Sequence, residues 1–268
     1  MSTDDIKNKK EIKINVSFSD YFNVSEKIIH KYGAFNVSLV ADLPLFIDPF
    51  LLFHSKKTEY QALHESIIKY LIFLKEKSEK NSGKLNTGML GLYKFPEIKQ
   101  NWFGFTILGN DGRGLGAKFA RRLNSGFTDI LEDFGDIKIT KGTHLETLCL
   151  IQEGVGRDSI SDFTTNLIHG FLLEYTQDFA IKNLDKIFLK NIPIPKAVFN
   201  YETENWETRS YTLPFFEGTY VLLTPIDILT KHETWINKFD FFDQFENIPT
   251  AIPNQELREG INRYFSKK

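Results

Sequence analysis

The apolar residues Phe163, Leu167, Ile168, Phe171, Leu172, Tyr175 and Phe179 fall three and four positions apart. That period draws a single apolar stripe along an α-helix, so the sequence predicts a helix from Ile160 to about Phe179 that must bury one side. The segment feeding it, Gly154-Val-Gly-Arg-Asp-Ser-Ile-Ser-Asp162, combines a glycine hinge with hydroxyls and carboxylates. Ser159 with Asp162 three residues on fits a capping box, in which side-chain oxygens accept from the unpaired N–H groups of the first turn. Gly154, Gly156, Asp158, Ser161 and Asp162 are therefore the leading candidates for a functional loop. A helix cap with a buried hydrogen-bond cluster is the structural alternative.

The rest of the chain reads as a mixture of helices and strands. Ile12 to Phe18 alternates apolar and polar, as a half-buried strand does, and Phe35 to Val40 reads as a second strand. Ser25 to Tyr32 predicts a short helix stopped by Gly33. Thr58 to about Lys80 predicts a long one, with Leu63, Ile67, Tyr70, Leu71 and Leu74 inward. Between them, Ala41 to Pro49 carries two prolines and two aspartates, Asp42 and Asp48, and predicts an extended apolar loop. Four runs between Ile187 and Leu223 predict an antiparallel meander, and short helices follow. The fold class is α+β, with residues 1–10 a disordered tail and 11–268 one domain.

Composition narrows the function. The 25 phenylalanines predict an aromatic core. A net charge of −2 gives no overall basic footprint, so any nucleic-acid contact must be local. Cys149 is the only cysteine, which excludes an internal disulfide or a multi-cysteine zinc site, and it lies in an apolar run. The histidines, at 30, 54, 64, 144, 169 and 232, show no zinc-ligand spacing. His169 falls outside the main stripe and reads as a surface or boundary residue rather than a base. No apolar run approaches a membrane span and no secretory leader is evident, so a cytoplasmic protein with no membrane partner is expected.

Two further constellations carry chemistry. Gly112-Arg-Gly-Leu-Gly-Ala117 has the glycine spacing of a dinucleotide loop, but its flanks lack the strand–helix alternation such a fold needs. Arg113, Lys118, Arg121 and Arg122 crowd this loop and its helix with no acid among them. Cations at a glycine loop and helix N-terminus suit the phosphates of DNA or RNA. The alternative is a solvated cationic face paired with the acidic run Asp129 to Asp136. Asp48, Asp158 and Asp162 are the candidates for a catalytic carboxylate set around magnesium (Mg2+), which takes hard oxygen ligands. No cofactor is expected otherwise.

Leu43-Pro-Leu-Phe-Ile-Asp-Pro49 resembles an LPLFIDP signature. Gly154 to Asn166, with Leu173-Glu-Tyr-Thr-Gln177, resembles GIGxDxISDxTxNI…LIxYTQ. Val221-Leu-Leu-Thr-Pro225 resembles an LLVPK segment, with Ile226 where the lysine would stand, and Ile248 to Asn262 resembles IPNxxLRxxIN. In order, these resemble a poorly characterised family of bacterial proteins found with mobile and defence genes. Longer members of that family carry a C-terminal restriction-endonuclease-like domain. The residues up to Lys268 contain no such catalytic strand, so the chain is expected to be the N-terminal domain of a longer protein or a stand-alone relative. The resemblance implies a non-catalytic module of an anti-phage system that recognises nucleic acid or a partner protein, or holds an oligomer together. A metal-dependent nuclease or phosphodiesterase, and a protein-interaction scaffold, are the alternatives.

Overall fold

The computed structural model describes residues 16–40, 42–82, 84–103, 120–121, 123–124 and 157–231. Within them the fold is mixed α and β, with antiparallel strand pairing.

The chain enters at α1 (Phe18–Tyr21), whose Ser17 and Asp20 form a reciprocal capping box. Helix α2 (Glu26–Tyr32) ends at Gly33, whose φ of 85° needs a residue without Cβ strain. Residues 35–40 do not form the expected strand; within them Ser38 makes a single isolated bridge, to Ser17. The proline-rich stretch is more ordered than the sequence predicts. Leu45–Ile47 is strand β1 and Pro49–His54 is helix α3. The two prolines sit where each is tolerated, Pro44 just before the strand and Pro49 at the first helical position.

Helix α4 spans Thr58–Lys80, as its period predicts, and buries Ile67, Tyr70, Leu71 and Leu74. After α5 (Thr87–Leu90) and a 3₁₀ turn at Lys99–Asn101, helical residues at 120–121 and 123–124 precede α6 (Arg157–Leu167) and α7 (His169–Asn183). The sequence predicts one continuous helix here. The break is at Ile168, with ψ of 13°, and an apolar spacing that runs straight through it conceals it.

A second 3₁₀ turn, Lys186–Phe188, leads into the three-stranded sheet of β2 (Leu189–Asn200), β3 (Asn205–Phe216) and β4 (Thr219–Tyr220), in that order. The sequence predicts an antiparallel meander of four runs; the structure makes three strands, the first predicted run falling largely in the 3₁₀ turn, the second at the end of the single strand β2, and residues 221–224 running on as buried chain outside the sheet. Glu217 and Gly218, at φ 42° and 88°, make the tight turn between β3 and β4, a conformation that twists with the strands it joins. Among the described residues strand β2 is an edge, and Pro193 and Pro195 lie on it, consistent with proline's lack of an N–H to donate. A bulge between Ile194 and Val198 puts Lys196 at φ 53°. A third 3₁₀ turn (Ile226–Ile228) precedes β5 (Leu229–Lys231), which pairs with β1.

Two clusters fill the interior. The larger gathers α4, α6, α7 and the β2–β3 ribbon around Ile67, Tyr70, Leu74, Phe163 and Leu213. The smaller joins α1, α2 and the end of α7 through Phe18, Phe22, Phe179 and Phe216. The abundant phenylalanine thus does build aromatic cores.

Candidate functional site

Three of the resembling motifs meet around α6 and α7, and their polar side chains hold backbone. Ser161 accepts from the N–H of Ile47 at 3.0 Å, tying α6 to β1. Asn166 donates to the carbonyl of Pro96 at 2.8 Å, and to that of Asp162 at 2.8 Å within its own helix. Thr176 accepts from Leu223 N–H at 2.9 Å. Gln177 accepts from Thr212 N–H at 2.7 Å. Tyr175 and Tyr32 each bond the other's backbone carbonyl, at 3.3 and 2.8 Å. Ser161, Asn166 and Thr176 are buried, where an unmatched backbone group is costly.

This changes the expected functional loop. Helix α6 already begins at Arg157, so Ser161 and Asp162 stand inside a helix and not in a loop, and Ser159 with Asp162 does not flank its start. Gly154 and Gly156, and the side chain of Asp158, lie outside the described residues.

Asp48 closes β1 and opens α3. Its carboxylate accepts from Phe50 N–H at 2.9 Å, and its own N–H donates to Ile228 at 3.0 Å. Burial pushes its carboxyl up to about 6, against the downward pull of the Phe50 and Leu51 backbone groups. Among the described residues no three His, Cys, Asp or Glu side chains are arranged to hold a metal ion. With the Asp158 side chain outside those residues, the three-aspartate magnesium set is not assembled from what is described.

Of the phosphate-binding candidates, Arg121 is helical and exposed, and its neighbours Ala120, Leu123 and Asn124 are buried. Its side chain thus leaves the protein on the wet side of that helix. Arg113, Lys118 and Arg122 lie outside the described residues.

The chain belongs to the family described as a domain of unknown function, DUF8370. That family's model matches residues 23–237. No curated protein and no solved structure matches. The DUF8370 match takes in the Leu43–Pro49, Gly154–Gln177 and Val221–Pro225 motifs, the three that meet here. It also takes in the Arg113–Arg122 cations and stops short of Ile248–Asn262.

Two polar clusters of the DUF8370 region were not singled out in the sequence. Lys57 pairs with Asp227 at 2.5 Å, and Tyr60 donates to the same carboxylate at 2.8 Å, pinning the start of α4 to the 3₁₀ turn before β5. The partners are 170 residues apart in the chain, so no local pattern announces them. His169, expected at a boundary, is buried, 3.3 Å from the Tyr220 hydroxyl. Burial pushes its pKa down to about 4. The cause is the bulge of β2, which presses on the next residue: a Cβ on Gly170 would stand 2.7 Å from Val198 Cγ2 and 3.1 Å from the Ala197 carbonyl. Glycine permits that approach and draws His169 inside.

Proposed function

We propose that this domain is a non-catalytic recognition module of a bacterial restriction-like defence system, gripping nucleic acid through the cationic segment Arg113, Lys118, Arg121 and Arg122. The observation that carries the reading is the division of labour among polar residues. Ser161, Asn166, Thr176 and Gln177 are engaged in holding the fold, whereas Arg121 extends from a helix whose neighbouring side chains are buried. A guanidinium so placed meets a phosphate without disturbing the core.

The test is duplex-DNA binding by the full chain across a salt series. Arg121→Ala with Arg122→Ala should weaken binding and flatten the log–log salt slope by about 2, since each lost phosphate contact removes about 0.9. Unchanged affinity and slope in the double variant would remove nucleic acid as the ligand and leave a partner protein as the object recognised.

A second reading, hydrolysis of a phosphodiester with magnesium, is favoured by the buried Asp48 carboxyl, because perturbed carboxyls gather at active sites. It requires purified protein to degrade DNA or RNA with magnesium, and to lose that activity on Asp48→Asn.

A further inference from the structure

Strand β3 gives one side to β2 and leaves part of the other side bare. Two contacts fix which residues face away from β2. Thr212 N–H donates to the Gln177 side chain at 2.7 Å, and the Pro214 carbonyl accepts from Val221 N–H at 2.9 Å. Alternate residues of an antiparallel strand present amide and carbonyl to the same side, so Trp206, Thr208 and Ser210 present theirs outward too. Among the described residues nothing is hydrogen-bonded to those outward backbone groups, and Thr208, Arg209 and Ser210 are exposed. The bare stretch has defined ends. The strand begins at Asn205, after the hairpin turn, and the Gln177 side chain occupies the Thr212 amide. Thr208 is its midpoint.

This edge is complementary to itself. Around a two-fold axis at Thr208, an antiparallel second copy sets Thr208 against Thr208 and Trp206 against Ser210. It also sets Glu207 against Arg209, once on each side of the axis. Those two then occupy non-hydrogen-bonded positions, where side chains approach most closely. Both are at the surface, and within one copy Arg209 Nη2 already meets Glu207 Oε2 at 3.0 Å. Glu174 of α7 draws on the same guanidinium from behind. Sliding the register by two residues sets Glu207 against Glu207 in one direction and Arg209 against Arg209 in the other. Of these registers, the one centred on Thr208 alone matches opposite charges.

An exposed strand edge with its amides intact is a template for another strand. The prolines of β2 close the opposite side of the ribbon to such pairing, whereas no proline lies between Asn205 and Leu213. We infer that β3 pairs with β3 of a second copy of this chain, antiparallel and centred on Thr208, joining the two ribbons into one continuous sheet. Trp206, Thr208 and Ser210 each exchange an amide and a carbonyl with the other copy, and the Glu207–Arg209 pairs set the register. The inference is independent of the nucleic-acid reading, because it uses none of the same residues.

The experiment is sedimentation velocity of the full chain over a concentration series, where monomer should give way to a species of twice the mass. The Thr208 and Ser210 amides should gain hydrogen-exchange protection in step with that change, which a dimer built elsewhere does not produce. Thr208→Pro removes the central outward N–H, one that β2 does not use, and should abolish the dimer. Glu207→Arg or Arg209→Glu alone sets like charges opposite each other and should weaken dimerisation by about tenfold or more. The double reversal restores opposite charges and should recover most of that loss. These reversals lie at the surface and decide the question even where proline loosens the ribbon; thermal unfolding checks each fold. A chain still monomeric at about 1 mM, amides that gain no protection, a dimer indifferent to Thr208→Pro or to the single reversals, or a double reversal no better than the singles would overturn the inference.

Discussion

The α6–α7 pair and the β2–β3 ribbon flank the same core but are fixed by different means. The helices carry hydrogen-bonding side chains that each secure one backbone group of a distant segment: Ser161 to Ile47, Asn166 to Pro96, Thr176 to Leu223, Gln177 to Thr212. The ribbon's far end is held on α4 by rings. Tyr70 touches Phe199 at 4.8 Å and Trp206 at 5.6 Å, and Phe73 touches Phe199 at 5.1 Å and Tyr201 at 6.0 Å. Hydrogen bonds impose one partner and one geometry, whereas apolar contact scales with area and accepts similar shapes.

The largest effect should come from the ribbon. Tyr70→Ala removes a fully buried ring and should cost about 3–5 kcal/mol in urea unfolding, while Tyr70→Phe, which keeps the ring and loses the hydroxyl's bond to Leu92, should cost about 1 kcal/mol. Comparable losses in both variants would mean that the hydroxyl, not the ring, secures the contact, and the contrast would fail.

Next come the helical bonds. Thr176→Val keeps shape and volume but leaves the Leu223 N–H unmatched, at about 1–3 kcal/mol. Thr176→Ser, which keeps the hydroxyl, should cost less. If valine were the milder replacement, the site would be ordinary packing.

The buried titrating groups sharpen the comparison through pH. The folded Asp48 carboxyl titrates at about 6, above its ordinary 3.8, so folding favours its protonated form. Its contribution is present below about pH 4 and is lost as pH rises to about 6. His169 is lowered from 6.5 to about 4, so folding favours its neutral form, and its contribution is lost as pH falls over a similar range. The two slopes oppose each other. Asp48→Asn should therefore make stability rise more steeply between about pH 4 and 6, and His169→Gln should make it fall, each by roughly 2 kcal/mol across the window. Parallel shifts in the two variants would contradict the burial of one of them.

The smallest effect is at the surface. Lys77 pairs with Glu204 beside the ribbon turn. Glu204→Ala should cost less than about 1 kcal/mol and lose even that in high salt.

Helix α4 was legible in the sequence to its end residues, because a long amphipathic period with lysines outside has no competing interpretation. The antiparallel meander was legible from its β-like runs, but not that a single strand, β2, spans the interval between the first two. Strand β1 was not. Its prolines signal a loop, and its partner β5 lies more than 180 residues away. The division at Ile168 was hidden by an apolar spacing that runs through it, and the burial of His169 by the close approach of β2 at Gly170, which a helical period does not register. Of the candidate site, Asp48 was picked out as a carboxylate in an apolar stretch that must find donors, and it does find one; Ser161 was picked out as part of a polar loop, and it stands inside α6 instead. Their partners, Ile47 and Phe50, are backbone groups, and side-chain identity says nothing about those.

The prolines on β2 bear on how copies of this chain can meet. A strand without two of its amide hydrogens, and kinked by a bulge beside them, offers a neighbouring molecule no regular ladder to extend. Sheet-to-sheet growth from that side, whether into a dimer or a fibre, is blocked by covalent structure. Association of copies at this edge has to proceed through side chains.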